Sequence, residues 1–267
     1  MLTCLTQGMT ECAKPHFYAG SGVPLIVVPG LSGRTGAPSR LKAWMQRKAI
    51  ADFIGDRKVF SIDRPYNLDP GTTIADLAAE YARTVTSLFD EPVDILGISS
   101  GGTIALQLAA DFPELVRRLV LVSSAHRLSD QGRETQRTVA ALLRAGRDRR
   151  AAAVFFGNTG ATLFENILRS IAGLIAPRAI IGRRDLDLLV ILDAEDDFDL
   201  DERLESIAMR TFIAGGEFDR FYSSALFEHT SERMPNAQLS VHAGGGHLGT
   251  HGNPRLVREI LTFLEAA

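Results

Sequence analysis

The stretch that decides the fold is Ile95-Leu96-Gly97-Ile98-Ser99-Ser100-Gly101-Gly102. An apolar run, Val93 to Ile98, leads into it, and a segment of helical character, Ser99 to Ala110, leads away. Within it lies G-x-S-x-G, a pattern common by chance but far more specific between a strand and a helix. A serine on so tight a turn has a strained backbone and needs small neighbours, which Gly97 and Gly101 supply. Its hydroxyl then stands clear of the sheet, and the helix behind it aims backbone N–H groups at any developing negative charge.

Outward from this turn the chain alternates strands and helices. Pro24 to Pro29 and Lys58 to Ile62 read as buried parallel strands, each closing on a turn. Residues 39–53 suit a helix. Thr72 to Phe89 suits another, with Ile74, Leu77, Ala78, Tyr81, Val85 and Leu88 on one face. A strand follows at Leu119 to Ser124. After a break the rhythm resumes with a strand at Met209 to Ala214, a helix at Ser223 to Arg233, a strand at Gln238 to His242 and a helix at Arg255 to Ala266. Residues 1–20 suggest a hairpin or a pair of strands. Such alternation predicts an α/β fold with a mostly parallel, doubly wound sheet.

The break covers residues 125–200, which show helical periodicity and no convincing strand. Its first half is Arg-rich (Arg127, Arg133, Arg137, Arg144, Arg147, Arg149, Arg150), which reads as a solvated helix face. Its second half is acidic, from Asp193 to Asp201, without the spacing of a calcium-binding loop. We expect residues 1–124 and 201–267 to form one discontinuous core, and 125–200 a helical insertion over the carboxyl ends of the strands, where open α/β sheets place ligands.

A serine hydroxyl needs a general base, and the base needs a carboxylate to orient it. His247 lies in the glycine-rich loop Ala243-Gly-Gly-Gly-His-Leu-Gly-Thr250, between a strand and the last helix; His251 is its rival. Asp219 ends Ile213-Ala-Gly-Gly-Glu-Phe-Asp219, again just after a strand, with Glu217 as its rival. His126 follows a strand and reads as a polar residue at the entry to the insertion. Trp44 reads as helix packing.

The elbow at Gly97–Gly101, the segment Gly216–Asp219, the loop ending in His247 and the order Ser…Asp…His together resemble the α/β-hydrolase superfamily, over nearly the whole chain. The Asp63-Arg64-Pro65 segment resembles it too. The resemblance implies an α/β-hydrolase fold with about eight strands and a helical cap inserted after strand 6. It implies catalysis by Ser99, Asp219 and His247, and an oxyanion hole from the backbone N–H groups of Ser100 and Leu31. Leu31 follows Pro29-Gly30, where many members carry His-Gly. The expected reaction is acyl transfer on a small-molecule ester, thioester or lactone. Alternatives on the same scaffold are C–C or amide bond hydrolysis, cofactor-free haloperoxidase or lyase chemistry, and non-catalytic ligand binding. A serine at the elbow argues against chemistry that uses Asp there.

The remaining composition narrows the class. The 267 residues carry a net charge of −3, which speaks against a nucleic-acid partner. Two cysteines, Cys4 and Cys12, suggest a reducing compartment rather than a disulfide framework. No apolar run reaches transmembrane length and no signal peptide is visible, so the expected address is the cytoplasm, away from membranes. We expect neither a cofactor nor a metal, and the sequence leaves a homo-oligomer open.

Overall fold

The computed structural model describes residues 6–9, 15–31, 51–53, 55–177, 186–250 and 253–266. The expected helix at 39–53 falls almost wholly outside these residues, as do Trp44, Cys4, Cys12 and His251.

Eight strands form one sheet. They are β1 (Thr6–Met9), β2 (Pro15–Gly20), β3 (Val23–Val28), β4 (Arg57–Ile62), β5 (Val93–Ile98), β6 (Val116–Val122), β7 (Arg210–Gly216) and β8 (Ala237–His242). Their order is β1-β2-β4-β3-β5-β6-β7-β8. The first two pairings are antiparallel and the rest parallel. The α-helices among the described residues are α1 (Ile74–Leu88), α2 (Ser100–Asp111), α3 (Asp130–Arg144), α4 (Asp148–Phe156), α5 (Leu163–Ile175), α6 (Leu186–Asp196), α7 (Ser224–Arg233) and α8 (Pro254–Glu265).

Strand periodicity divides the core in two. On one face Ile26, Val28, Ile95, Leu119, Leu121 and Ile213 pack against α1, α2 and α7. On the other, Leu25, Val27, Leu96, Val120, Phe212 and Ala214 pack against α8. Both faces are therefore covered, which is why these strands read as unbroken apolar runs. Helix α1 starts where a capping box starts it: the Asp76 amide donates to Thr73 Oγ1 at 3.1 Å, and the Thr73 amide to Asp76 Oδ2 at 2.8 Å. Of its expected apolar face, five residues are buried, but Leu88 is 37% exposed at the last turn. Tyr81 is wholly buried and donates its hydroxyl to the Ile62 carbonyl at 2.8 Å, so its ring is buried without an orphaned O–H.

Strand β6 begins at Val116, three residues before the sequence suggested. Arg117 and Arg118 hid its start. Arg117 is tolerated because of Asp94, which is fully buried on β5, and Arg118 donates to the Ala266 carbonyl. Arg57 and Arg117 both reach Asp94 Oδ2 at 2.6 Å, and Arg117 Nε reaches Oδ1 at 2.8 Å. A buried carboxylate is stable only with such partners.

Between β6 and β7 the described chain is helical, through α3 to α6. The Arg-rich and acidic halves meet each other: Arg137 lies 2.8 Å from Asp196, and Arg144 2.5 Å from Asp193. Arg137, Arg144 and Asp193 are exposed, as a solvated face requires, and Asp196 is partly buried. Glu195 departs from that reading. It is buried at 1% exposure, accepts a hydrogen bond from Tyr222 Oη at 3.0 Å and another from Gln136 Nε2 at 3.1 Å. Burial holds its carboxyl above the usual range. The root of the helical stretch is closed where its two ends pair, Arg127 opposite Asp199, with the Leu200 amide donating to the His126 carbonyl at 3.1 Å.

Candidate active site

Ser99 sits between β5 and α2 with φ 51° and ψ −123°. That conformation costs on the order of 1–3 kcal/mol for a residue with a side chain, so its surroundings must hold it in place. They do so by close approach. A Cβ on Gly97 would lie 2.6 Å from both the Gly101 carbonyl oxygen and the Gly102 Cα. A Cβ on Gly101 would lie 2.2 Å from the Val28 carbonyl oxygen. Only glycine fits either place, and the result is a helix start wedged against the end of β3.

Two more strand ends deliver the rest. Asp219 follows β7 and His247 follows β8, both buried. His247 Nε2 is 2.9 Å from Ser99 Oγ, and His247 Nδ1 is 2.8 Å from Asp219 Oδ2. The other carboxylate oxygen, Asp219 Oδ1, accepts from the amides of Phe221 at 2.9 Å and Tyr222 at 3.1 Å. Those two bonds fix the carboxylate so that Oδ2 faces the imidazole. Its position calls for the Nδ1–H tautomer and leaves the Nε2 lone pair for the serine hydroxyl. Phe221 and Tyr222 also flank the ring, with centroids 4.9 Å and 6.1 Å from it. Glu217 turns away: its Oε2 accepts from the Gly244 amide on the exposed side.

The amides of Ser100 and Leu31 donate to no acceptor among the described residues. The Leu31 loop lies against the elbow, since a Cβ on Gly30 would come within 3.4 Å of Ser99 Cβ. What holds this loop is Arg64, a residue the sequence did not single out. Its guanidinium donates to the Gly30 carbonyl at 2.9 Å, and to the Pro29 carbonyl and Ser100 Oγ at 3.2 Å each. The signal was present in the Asp63-Arg64-Pro65 turn, but only the fold shows what Arg64 grips. The fork of a guanidinium suits this task, because it ties two carbonyls and a hydroxyl at once.

The helical stretch between β6 and β7 rests directly on this constellation. The Leu248 amide donates to the Thr159 carbonyl at 3.2 Å, and a Cβ on Gly246 would lie 2.5 Å from the Ala161 amide nitrogen. Ser129 donates through its amide to the Phe221 carbonyl at 2.8 Å and through its hydroxyl to the Arg220 carbonyl at 2.6 Å. Phe155 meets the Phe221 ring at 5.3 Å. From the core side, Asp187 on α6 accepts from the amides of Asn67 and Leu68 at 2.9 and 2.7 Å. His126 lies at the entry to this stretch but bonds to Thr230 Oγ1 at 2.8 Å, not to Ser99, Asp219 or His247. Burial pushes its imidazole down to about 4, so it is neutral at pH 7.

Known proteins share this architecture. The metagenomic alpha/beta hydrolase MGS-M2 from the deep-sea Medee basin superimposes with a TM-score of 0.81, covering 98% of both chains at 17% identity. A hydrolase from Pseudomonas aeruginosa PA01 does so with a TM-score of 0.78 over the full length of both chains, at 23% identity. In sequence, the chain is similar to RutD of Caulobacter segnis, a proposed carbamate hydrolase by its name. The two are 26% identical over 98% of this chain and 100% of that one. RutD of Caulobacter vibrioides is 29% identical over 75% of each. The model of the alpha/beta hydrolase family matches residues 25–260. The chain belongs to the alpha/beta hydrolase family.

Proposed function

We propose that the chain is a serine hydrolase that cleaves a small-molecule ester, thioester or lactone through an acyl-serine intermediate. The observation that carries this reading is the unbroken line from Ser99 Oγ through His247 to Asp219, with contacts of 2.9 and 2.8 Å. Ser99 Oγ attacks the carbonyl carbon while His247 Nε2 takes its proton. Asp219 holds the imidazole and stabilises the imidazolium. The amides of Ser100 and Leu31 receive the oxyanion, and Arg64 keeps the Leu31 loop in position. The imidazolium then protonates the leaving group. In the second half-reaction His247 draws a proton from water, which attacks the acyl carbon, and the imidazolium returns that proton to Ser99 Oγ as the acid leaves. Each step uses residues of this chain alone.

Residues 125–200 act as a cap in this reading, over the core of 1–124 and 201–267. The contacts of Thr159, Ala161 and Ser129 with the loops of His247 and Asp219 support that role. The cap encloses the acyl group and limits its size. Carbamate hydrolysis is the second reading, favoured by the full-length sequence match to RutD. It uses the same serine attack and differs in the carbonyl substituent.

The test is a substrate panel run on wild type and Ser99→Ala: p-nitrophenyl acetate and butyrate, a p-nitrophenyl carbamate, a γ-lactone and an aryl amide. The expected result is turnover of the acyl esters or the lactone that is lost in Ser99→Ala. Preference for the carbamate supports the second reading. Turnover that survives Ser99→Ala refutes both.

A further inference from the structure

A second cluster lies outside the elbow, at the root of the helical stretch. His126 from its entry, Asp201 from just beyond its exit and His229 from α7 each offer a ligating atom, and these atoms lie within 4.8 Å of one another. The three line an open cleft of about 440 Å³. We propose that these residues form a binding site for a divalent transition ion, zinc being the representative, which clamps both ends of the stretch to α7.

Nothing local in the sequence points to it, because the three residues are 75 and 28 positions apart and match no metal-ligand spacing. The fold assembles them through the closure at Arg127 and Asp199 and the bond between the Leu200 amide and the His126 carbonyl.

His126 is set up as a ligand. It is 2% exposed, and Thr230 Oγ1 lies 2.8 Å from its Nδ1. The Thr230 hydroxyl already donates to the Leu226 carbonyl at 2.6 Å, so toward His126 it acts as acceptor. The imidazole proton therefore sits on Nδ1, and Nε2 carries the lone pair. A metal-binding histidine is oriented in this manner, through a hydrogen bond from its other nitrogen. His229 and Asp201 meet at 2.6 Å, and their side chains are 44% and 39% exposed, so both can swing. Bonds of about 2.0–2.1 Å in a tetrahedral site need ligand atoms about 3.3 Å apart. The mobile pair has at most about 1.5 Å to move toward the fixed His126. The ion takes the place of the proton that His229 Nε2 and Asp201 share, which leaves to solvent.

Charge favours a cation as well. Asp199 and Asp130 line the same cleft. Arg127, the one cation among the described lining residues, lies 3.7 Å from Asp130 and 3.9 Å from Asp199, which offset it. Two imidazoles and a carboxylate select borderline ions such as zinc, nickel or copper over magnesium or calcium. The three ligands leave a fourth position for water.

The test is calorimetric titration of zinc chloride into the full-length protein after chelator treatment and dialysis. Wild type, His229→Asn, Asp201→Asn and a control, His242→Asn, are compared. His229→Asn and Asp201→Asn change half-exposed side chains, so the fold is retained. The expected result is one ion per chain at micromolar or tighter affinity, weakened at least tenfold in His229→Asn and Asp201→Asn and unchanged in the control. Cobalt(II) added to wild type should give the intense visible absorption of a tetrahedral site, absent in His229→Asn. Affinity weaker than about 100 µM, or binding that His229→Asn leaves intact, overturns the proposal and leaves His229–Asp201 as a surface ion pair only. The titration reads metal alone, so its outcome is independent of the serine chemistry.

Discussion

Replacing Arg64 by methionine removes three hydrogen bonds from a residue that is 9% exposed. A hydrogen bond to a charged group is worth about 1.5–3 kcal/mol. The 2.9 Å bond to Gly30 counts in full, and the two 3.2 Å bonds lie at the long end and count for about half each. That gives about 3–6 kcal/mol before relaxation. Water entering the half-buried loop restores part of it, so the expected loss of stability is about 2–3 kcal/mol. The effect on rate follows from the Leu31 amide. Losing one oxyanion donor outright costs about 10²–10³-fold in kcat. Loosening one while the Ser100 amide stays fixed should cost about 10–100-fold in kcat, with KM changed by no more than about threefold. Arg64→Lys keeps the charge without the fork and should fall between. The assay is p-nitrophenyl butyrate hydrolysis, with urea unfolding on the same samples to establish that each variant is folded. A folded Arg64→Met protein with kcat within twofold of wild type would refute the role given to Arg64 and with it the Leu31 donor.

Three further outcomes follow from the same structure. Gly97→Ala sets a methyl 2.6 Å from backbone atoms of Gly101 and Gly102 that cannot yield; the expected cost is about 1–3 kcal/mol in urea unfolding together with loss of activity, and an unchanged midpoint would contradict the elbow packing. Asp219→Asn keeps the side-chain oxygen that accepts from Phe221 and Tyr222 but no longer fixes the His247 tautomer, so kcat should fall by about 10³–10⁴-fold while the unfolding midpoint moves little. Glu195→Gln tests burial of charge. The Glu195 carboxyl is held above its ordinary range when folded, so its contribution to stability is fully present below the unfolded carboxylate range and is lost as pH rises through the folded value. The introduced amide does not titrate, still accepts from Tyr222, and can donate to Gln136 Oε1, which lacks a partner among the described residues. The urea midpoint of Glu195→Gln relative to wild type should therefore rise between pH 5 and pH 8; a fall would reverse the assignment.

The sheet was readable because parallel strands buried on both faces are plain apolar runs, and because Gly97 and Gly101 bracket a serine at one strand's end. Asp219 and His247 were readable for a related reason: each follows a strand, and strand ends in such sheets point to one place. What stayed hidden is what depends on partners distant in sequence. Arg117 and Arg118 masked the start of β6 because Asp94, their buried neighbour in the sheet, lies on another strand. Glu195 was lost in an acidic run whose other members are solvated, since only the packing of α6 against Tyr222 and Gln136 singles it out. Arg64 grips a loop more than thirty residues away, and nothing local to it says so. His126 and His229 come together only through the closure of the helical stretch.

The central claim is that Ser99 is an activated nucleophile. It is tested most directly by incubating the protein with a fluorophosphonate, measuring intact mass, and mapping the adduct by peptide sequencing. The account predicts one adduct per chain, on Ser99, absent in Ser99→Ala and formed at least about 100-fold more slowly in His247→Ala. Folded wild-type protein that takes no label, or takes it stoichiometrically on another residue, would contradict it.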